Sequence, residues 1–210
     1  LVDFVLFVEG GGNHGQLNDA CRRGFSRFLE KAGVTKNRPR IVAGGSRART
    51  FDKFCTALGD GKHALLLVDS EAPVSDASPW THLRQRPGDG WTTPDIATDY
   101  NCHLMVQCME NWFLTDRETL RTFFGQGYRE TALPPACQNI ETILKDTVLR
   151  SLSEATKDCK TKARYDKGEH SFDLLARIDP AKVTASSQWA NRFVTAVKTA
   201  MSAPSLKETP

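Results

Sequence analysis

The sequence predicts an α/β fold built on a parallel sheet with helices on its faces. Three observations carry this. Two short runs, VDFVLFV at 2–8 and ALLLV at 64–68, are apolar almost throughout, as strands buried on both faces are. Between them the apolar residues twice fall at helical spacing, on either side of a further short run. The resulting order within the first 71 residues, β-α-β-α-β, is the pattern of parallel strands joined by helical crossovers.

The bulk numbers agree. A chain of 210 residues suits one domain with a sizeable core, and 40% hydrophobic with 25% charged residues is a globular balance. No apolar run approaches the roughly 20 residues that cross a bilayer, so no membrane association is expected. The start, LVDFVLFVEG, has neither a basic segment nor a small-residue cleavage site, and reads as a first strand rather than a signal peptide. Six cysteines, at 21, 55, 102, 108, 137 and 159, form no CxxC pair and no zinc spacing. They are expected to be reduced thiols of a cytoplasmic protein. A net charge of +3 permits nucleic-acid binding without arguing for it.

The elements follow in order. After the first strand and a glycine-rich loop, Leu17, Ala20, Cys21, Gly24, Phe25, Phe28, Leu29 and Ala32 line one side of a helix. Arg22, Arg23, Arg27 and Lys31 lie opposite, and Gly33 ends it. A short strand at 40–43 leads through Gly44-Gly45-Ser46 into a helix at about 49–58, closed by Gly59 and Gly61. The strand 64–68 runs into Asp69-Ser70-Glu71. Right-handed crossovers place loops 9–15, 44–47 and 69–71 on one edge of the sheet.

Residues 72–101 contain Pro73, Pro79, Pro87 and Pro94 with Gly88 and Gly90, and read as a loop-rich insertion over that edge. HLMVQCM at 103–109 reads as a fourth strand. Thr115-x-x-Glu118 has the form of a capping box before a helix that ends near Gly125. From Ile140, apolar residues at 143, 144, 148, 152 and 155 predict a helix of four turns or more. Ser151-x-x-Glu154 repeats the capping pattern inside that periodicity and is set aside. Residues 157–169 read as a charged connector, Asp179-Pro180 as a helix start, and 187–201 as a last helix. The expected organisation is one domain over 1–201, with a C-terminal helical part at 139–201 and a frayed tail at 202–210.

The loop FVEGGGNHG at 7–15 raises the question of chemistry. Gly10-x-Gly12-x-x-Gly15 matches the dinucleotide fingerprint. Against that reading, the helical pattern starts near Leu17, after the motif, and Glu9 would oppose a pyrophosphate. The second strand ends in Gly44-Gly45-Ser46-Arg47 instead of an acidic residue for ribose hydroxyls, although Arg47 could meet a 2′-phosphate and keeps NADP open. No GK[ST] follows, so the loop is not a P-loop.

A metal reading accounts for more residues. Glu9 ends the first strand, and Asp69 and Glu71 follow the third. Residues two apart in extended chain point the same way. Three carboxylates at one edge repel unless a cation lies among them, and Mg²⁺ or Mn²⁺ takes such oxygen ligands. Such an ion activates water and supports in-line phosphoryl displacement. Glycines beside it leave room and free amides for a phosphate backbone.

The order strand, Glu-Gly, helix, strand, helix, strand, Asp-x-Asp/Glu resembles the Toprim fold of topoisomerases, primases and overcoming-lysogenization-defect nucleases. VEGGGNHG (8–15), LLLVDSEAPV (65–74), VQCMENWFLTD (106–116) and YDKGEHS (165–171) narrow this. Together they resemble a Toprim-like domain of unknown function found in bacterial defence loci, whose group includes the nuclease subunit of the PARIS anti-phage system. The likeness runs from about residue 2 to 195. It implies a three-layer Toprim-like fold and a Mg²⁺- or Mn²⁺-dependent nuclease acting on DNA or RNA, in a defence system with a partner ATPase. A homo-oligomer is a further expected association. By the family pattern Glu9 is general base or metal ligand, Asp69 and Glu71 are metal ligands, and Glu110 is a fourth ligand or orients one. Glu71 stands where the pattern often has Asp. Two alternatives remain: a non-catalytic Toprim-like partner or sensor, and a NADP- or nucleotide-binding enzyme.

Other residues carry two readings each. Asp116 reads as a first-turn acid that complements a helix dipole, or a site residue. Trp112 and Phe113 read as core. Lys167, His170 and Ser171 are either a solvated connector or phosphate contacts, with Lys167 supplying charge and His170 a proton. Arg47, Arg49 and Lys53 suit a phosphate-facing patch. Arg84 and Arg86, interleaved with Trp80 and Trp91, suit a loop that grips single-stranded nucleic acid or one that covers the sheet edge. His14 is a site residue or a surface histidine.

Overall fold

A computed structural model describes residues 4–12 and 15–202. His14 and the tail from 203 lie outside the described residues. Four strands, β1 (Phe4–Val8), β2 (Arg40–Ala43), β3 (His63–Asp69) and β4 (Cys102–Met105), form one sheet in the order β2-β1-β3-β4. All three pairings are parallel. The crossovers are α1 (Gly15–Lys31), α2 (Arg47–Gly59) and an insertion that includes α3 (Pro79–Gln85). After β4 come α4 (Glu110–Phe113), α5 (Arg117–Phe124), α6 (Lys145–Thr156), α7 (Lys167–Leu175), α8 (Pro180–Ser186) and α9 (Gln188–Ser202).

The apolar strands are explained by two cores. Phe4, Leu6 and Val8 of β1, with Leu65 and Leu67 of β3, face one core shared with α1 and the C-terminal helices. Val5 and Phe7, with Ala64, Leu66 and Val68, face a second core with Phe54, Leu58, Trp80 and Leu83. Successive strand residues alternate between the faces, and both faces are covered, so positions 4–8 and 64–68 are all apolar. The result is the expected three-layer α/β arrangement with a parallel central sheet. All six cysteines are free, and Trp112 and Phe113 are buried in the core as expected. No described helix is long and apolar enough to cross a membrane.

Several boundaries differ from expectation, each for a physical reason. β4 ends at Met105, and residues 106–109 leave the sheet. There the Met105 and Gln107 carbonyls accept the Ser70 and Glu71 amides at 2.9 and 2.8 Å, so this segment wraps the end of β3. The long helix from Ile140 is shorter: Ile140–Thr142 is a 3₁₀ turn, and α6 starts at Lys145. Buried Asn111 holds that turn by donating to the Ile140 and Ile143 carbonyls, both at 2.9 Å. The Thr115 capping box does not form. Thr115 donates instead to the Trp112 carbonyl, and Asp116 takes the N-cap position of α5. Asp116 is buried and accepts from Thr119, the Asp179 amide and Lys182 at 2.7, 3.0 and 2.6 Å. The connector at 157–169 ends early, because α7 starts at Lys167 behind an Asp166 cap that accepts the Gly168 and Glu169 amides.

Candidate metal centre

The C-terminal ends of β1 and β3 meet as parallel neighbours. The Glu9 amide donates to Leu67 O at 3.0 Å, which continues the ladder one residue beyond β1. Gly10 and Gly45 exchange amide-to-carbonyl bonds at 3.0 and 2.9 Å, so the loops after β1 and β2 lie against each other. Gly10 requires its residue type: φ is +125°, and a Cβ would lie 2.9 Å from the Phe172 ring. A cleft of about 190 Å³ opens here, lined by Glu9, Gly10, Asp69, Met109 and Lys167 among others.

Glu9, Asp69 and Glu71 each offer a carboxylate oxygen within 4.8 Å of the others. That spacing fits one hard cation with a shell of oxygen ligands. The route by which Glu71 arrives corrects the expected one. β3 stops at Asp69, and Glu71 adopts a left-handed φ of +66°, held by its amide bond to Gln107 O. Convergence comes from this turn, not from strand alternation. A glutamate in that conformation is strained, a state that persists where the surroundings impose it.

Each carboxylate also meets a basic side chain. Arg47 Nη1 lies 2.9 Å from Glu9 Oε2, which also accepts the Asp69 amide at 3.1 Å. Arg47 is itself held by two parallel bonds to Asp89, both 2.8 Å. Lys145 pairs with Glu71, and Arg86 lies 3.9 Å from it. Burial raises the Glu71 carboxyl, but Lys145, Arg47 and Arg86 outweigh it and hold the group below its ordinary range. Lys167 Nζ is 3.2 Å from Asp69 Oδ2, while Asp69 Oδ1 accepts the Met109 amide at 2.8 Å. Burial, opposed by Lys167 and reinforced by Glu9, Glu110 and Glu71, pushes the Asp69 carboxyl up to about 7.

Glu110 lies beneath, fully buried at the start of α4. Its Oε1 accepts from Tyr165 at 3.1 Å and Ser171 at 3.2 Å, and its Oε2 lies 3.5 Å from Lys167 Nζ. It stands outside the three-carboxylate cluster, next to Lys167. Burial opposes the Lys167 charge, yet Asp69 and Glu110 hold the ammonium well above the ordinary lysine range.

The remaining candidates divide. His170 is a correction: it is buried, its Nδ1 accepts the Asp166 amide at 3.0 Å, and its ring packs among Phe123, Phe124 and Tyr165. It secures α7 to α5 and does not line the cleft. Lys167 and Ser171 do line it. Arg49 and Lys53 border a polar hollow with Gly12 and Gly44, across the Gly12 ridge from the carboxylates. Arg84 is exposed and lies 3.3 Å from Thr93 Oγ1, and Arg86 turns inward to Asp89 and Glu71. The stacking role of the insertion tryptophans is corrected too. Trp80 is buried in the second core, and Trp91 stacks on Phe51 with centroids 4.2 Å apart. The insertion covers the sheet edge. Finally, α1 starts at Gly15, two residues before the expected Leu17, so the late start of the helix counts less against the glycine fingerprint. Arg47, however, is engaged by Asp89 and Glu9.

Sequence reasoning missed Asp89, Lys145 and Tyr165. Asp89 sits in PGDG, which reads as a turn, and Lys145 lies inside what reads as mid-helix. The start of α7 was signalled: Asp166-Lys-Gly-Glu169 has the form of a capped helix beginning, which puts Lys167 at its first position.

Neither a curated protein nor a solved structure matches the chain. A family description does, over residues 8–198, and this span takes in every carboxylate and cation of the cleft. The chain therefore belongs to DUF4276, a family defined as a domain of unknown function.

Proposed function

We propose that this protein is a Mg²⁺- or Mn²⁺-dependent nuclease that cleaves phosphodiester bonds in DNA or RNA. The observation that carries the reading is the convergence of Glu9, Asp69 and Glu71 within 4.8 Å at the ends of two adjacent parallel strands. The raised Asp69 carboxyl supports it, because a buried acid among acids is relieved by a cation. When bound, the ion supplies Lewis acidity and lowers the pKa of water. The chain supplies the rest. Glu9 would hold the ion or accept the proton of the attacking water. That water's oxygen would bond to phosphorus while the leaving oxygen departs with the bonding electron pair and takes a proton from solvent. Lys167, half exposed in the cleft, faces the negative charge that builds on the phosphoryl oxygens. Arg49 and Lys53, across the Gly12 ridge, suit the next phosphate of a bound strand.

The Toprim-like order of motifs supports the same reading and suggests a setting in bacterial defence, with a partner ATPase controlling the nuclease and a homo-oligomer as the working form. A second reading has its own support. Arg47, Lys145 and Lys167 each neutralise one carboxylate, as in a non-catalytic relative whose site has closed on itself. The NADP reading loses support because Arg47 is committed to Asp89 and Glu9.

The test is a purified chain, Mn²⁺, and labelled single- and double-stranded RNA and DNA. Cleavage that needs the ion, stops with EDTA and disappears in Glu9→Ala supports the nuclease. Crystals soaked in Mn²⁺ should give an anomalous peak between the three carboxylates. Ion binding without cleavage of any substrate favours the non-catalytic reading. A thermal shift with NADPH that survives chelation and Glu9→Gln would sink the metal reading.

A further inference from the structure

Lys167 occupies an unusual place. It is the first residue of α7, where a positive side chain adds to the positive end of the helix dipole. Helix stability therefore does not explain it. Its ammonium lies 3.2 Å from Asp69 Oδ2 and 3.5 Å from Glu110 Oε2, so it bridges the cation-ready cluster and the buried acid behind it. Glu110 is fully buried. Tyr165 and Ser171 take its Oε1, but its Oε2 has no hydrogen-bond partner among the described residues. A buried carboxylate oxygen with no donor is costly unless a positive charge faces it. Here that charge is the Lys167 ammonium.

From this we infer that the centre holds one divalent cation, and that the Lys167 ammonium stands where a second cation would otherwise sit, between Asp69 and Glu110. The inference rests on the metal reading above and adds to it the number of ions and the role of Glu110. Centres for phosphoryl transfer that use two ions place them about 3.5–4 Å apart and share a carboxylate between them. Asp69 is such a shared group: it belongs to the triad with Glu9 and Glu71 and also contacts Lys167. The second position differs from the first. Among the described residues its carboxylate contacts are Asp69 and one oxygen of Glu110, and the adjoining cleft wall includes Met105, Met109 and Phe172. An ion that keeps several waters is poorly served there, whereas an ammonium on a flexible stem needs no shell of six ligands. Glu110 accordingly orients Lys167 and is not a ligand of the ion in the intact protein.

Counting bound Mn²⁺ by calorimetry and by electron paramagnetic resonance tests this without reference to activity. The intact chain should bind one ion per molecule. Lys167→Met, which keeps the apolar stem, and Lys167→Ala should each bind two, since Asp69 and Glu110 then face each other without a cation. Lys167→Met combined with Glu110→Gln, which keeps an acceptor for Tyr165 and Ser171, should return to one. Two ions in the intact chain, one ion in both single variants, or a second ion that survives Glu110→Gln would each overturn the inference while leaving the metal centre standing. No ion bound by the intact chain overturns the metal reading itself, and this inference with it.

Discussion

Arg47 joins Asp89 to Glu9: its guanidinium makes two 2.8 Å bonds to Asp89 and a third contact, 2.9 Å, to Glu9 Oε2. The insertion that carries Asp89 is therefore joined to the carboxylate cluster through Arg47. Burial opposes the Arg47 charge, but Asp89 and Glu9 hold it above the ordinary guanidinium value. Asp89→Ala leaves a largely buried guanidinium with Glu9 as its remaining carboxylate partner at full contact. Breaking a buried pair from one side costs about 3–5 kcal/mol, and the retained Glu9 contact puts this case near about 3. Urea denaturation measures it. A loss under about 1 kcal/mol, the range of exposed pairs, would mean that the insertion is not clamped by this bond.

Glu71 offers a cleaner separation of folding from function. Its φ of +66° suits glycine, and a side chain there costs about 1–2 kcal/mol. Glu71→Ala and Glu71→Gly both remove the carboxylate and the Lys145 pair. They differ in backbone strain, so the glycine variant should be more stable than the alanine variant by about 1 kcal/mol, less whatever glycine adds to unfolded-chain entropy. Both should lose most of the Mn²⁺-induced thermal shift, which for the intact chain at 100 times Kd corresponds to about 2.7 kcal/mol. A glycine variant less stable than the alanine variant by about 0.4–1 kcal/mol, the entropy difference alone, would show that the left-handed turn is not strained.

These two cases also mark what the sequence makes legible. The strands of the sheet are readable because burial on both faces leaves unbroken apolar runs, as in VLF at 5–7 and LLLV at 65–68. Glu9, Asp69 and Glu71 are readable because the ends of parallel strands come together on one edge. How Glu71 reaches them is not, since its turn depends on Gln107, distant in sequence. The Arg47–Asp89 clamp is equally hidden: local rules assign Asp89 to a turn, which is true, and say nothing of its partner. His170 and the indoles of Trp80 and Trp91 mislead in the opposite direction. They are residue types that serve sites, used here for packing.

Asp116 predicts a pH dependence away from the carboxylate cluster. Burial raises its carboxyl, but Lys182, Thr119 and the Asp179 amide outweigh this and hold it below the ordinary carboxylate range. Its folded pKa thus lies under the unfolded value of about 3.9. The unfolded state takes up its proton first as pH falls, so the contribution is fully present above about pH 4 and is lost as pH drops through the folded pKa. Lys182 is 48% exposed, so solvent screening limits the pair to about 1 kcal/mol or less. Asp116→Asn should cost more stability at pH 7 than at about pH 3, below the unfolded carboxylate value. Guanidinium denaturation at both pH values measures the difference. A difference that stays constant across the range would mean that the carboxylate charge plays no part.

Gly24 controls the position of α7, and through it of Lys167. A Cβ at Gly24 would lie 2.8 Å from the Phe172 carbonyl oxygen and 3.3 Å from its Cα. Both are backbone atoms, so no side-chain rotation relieves the clash and the two helices must move apart. Overpacking of this kind costs about 1–3 kcal/mol. Alanine returns up to about 1 kcal/mol through its helix propensity, which leaves Gly24→Ala destabilised by about 1 kcal/mol. Gly59→Ala is the control, because its Cβ meets nothing within 4 Å and the propensity gain, smaller at the last residue of α2, is unopposed. The two variants should therefore shift the melting temperature in opposite directions. Phe172 and Lys167 share α7 and both line the cleft, so only Gly24→Ala should also change Mn²⁺ affinity. Unchanged Mn²⁺ affinity in a destabilised Gly24→Ala would show that the geometry of the centre does not depend on how closely α7 packs against α1.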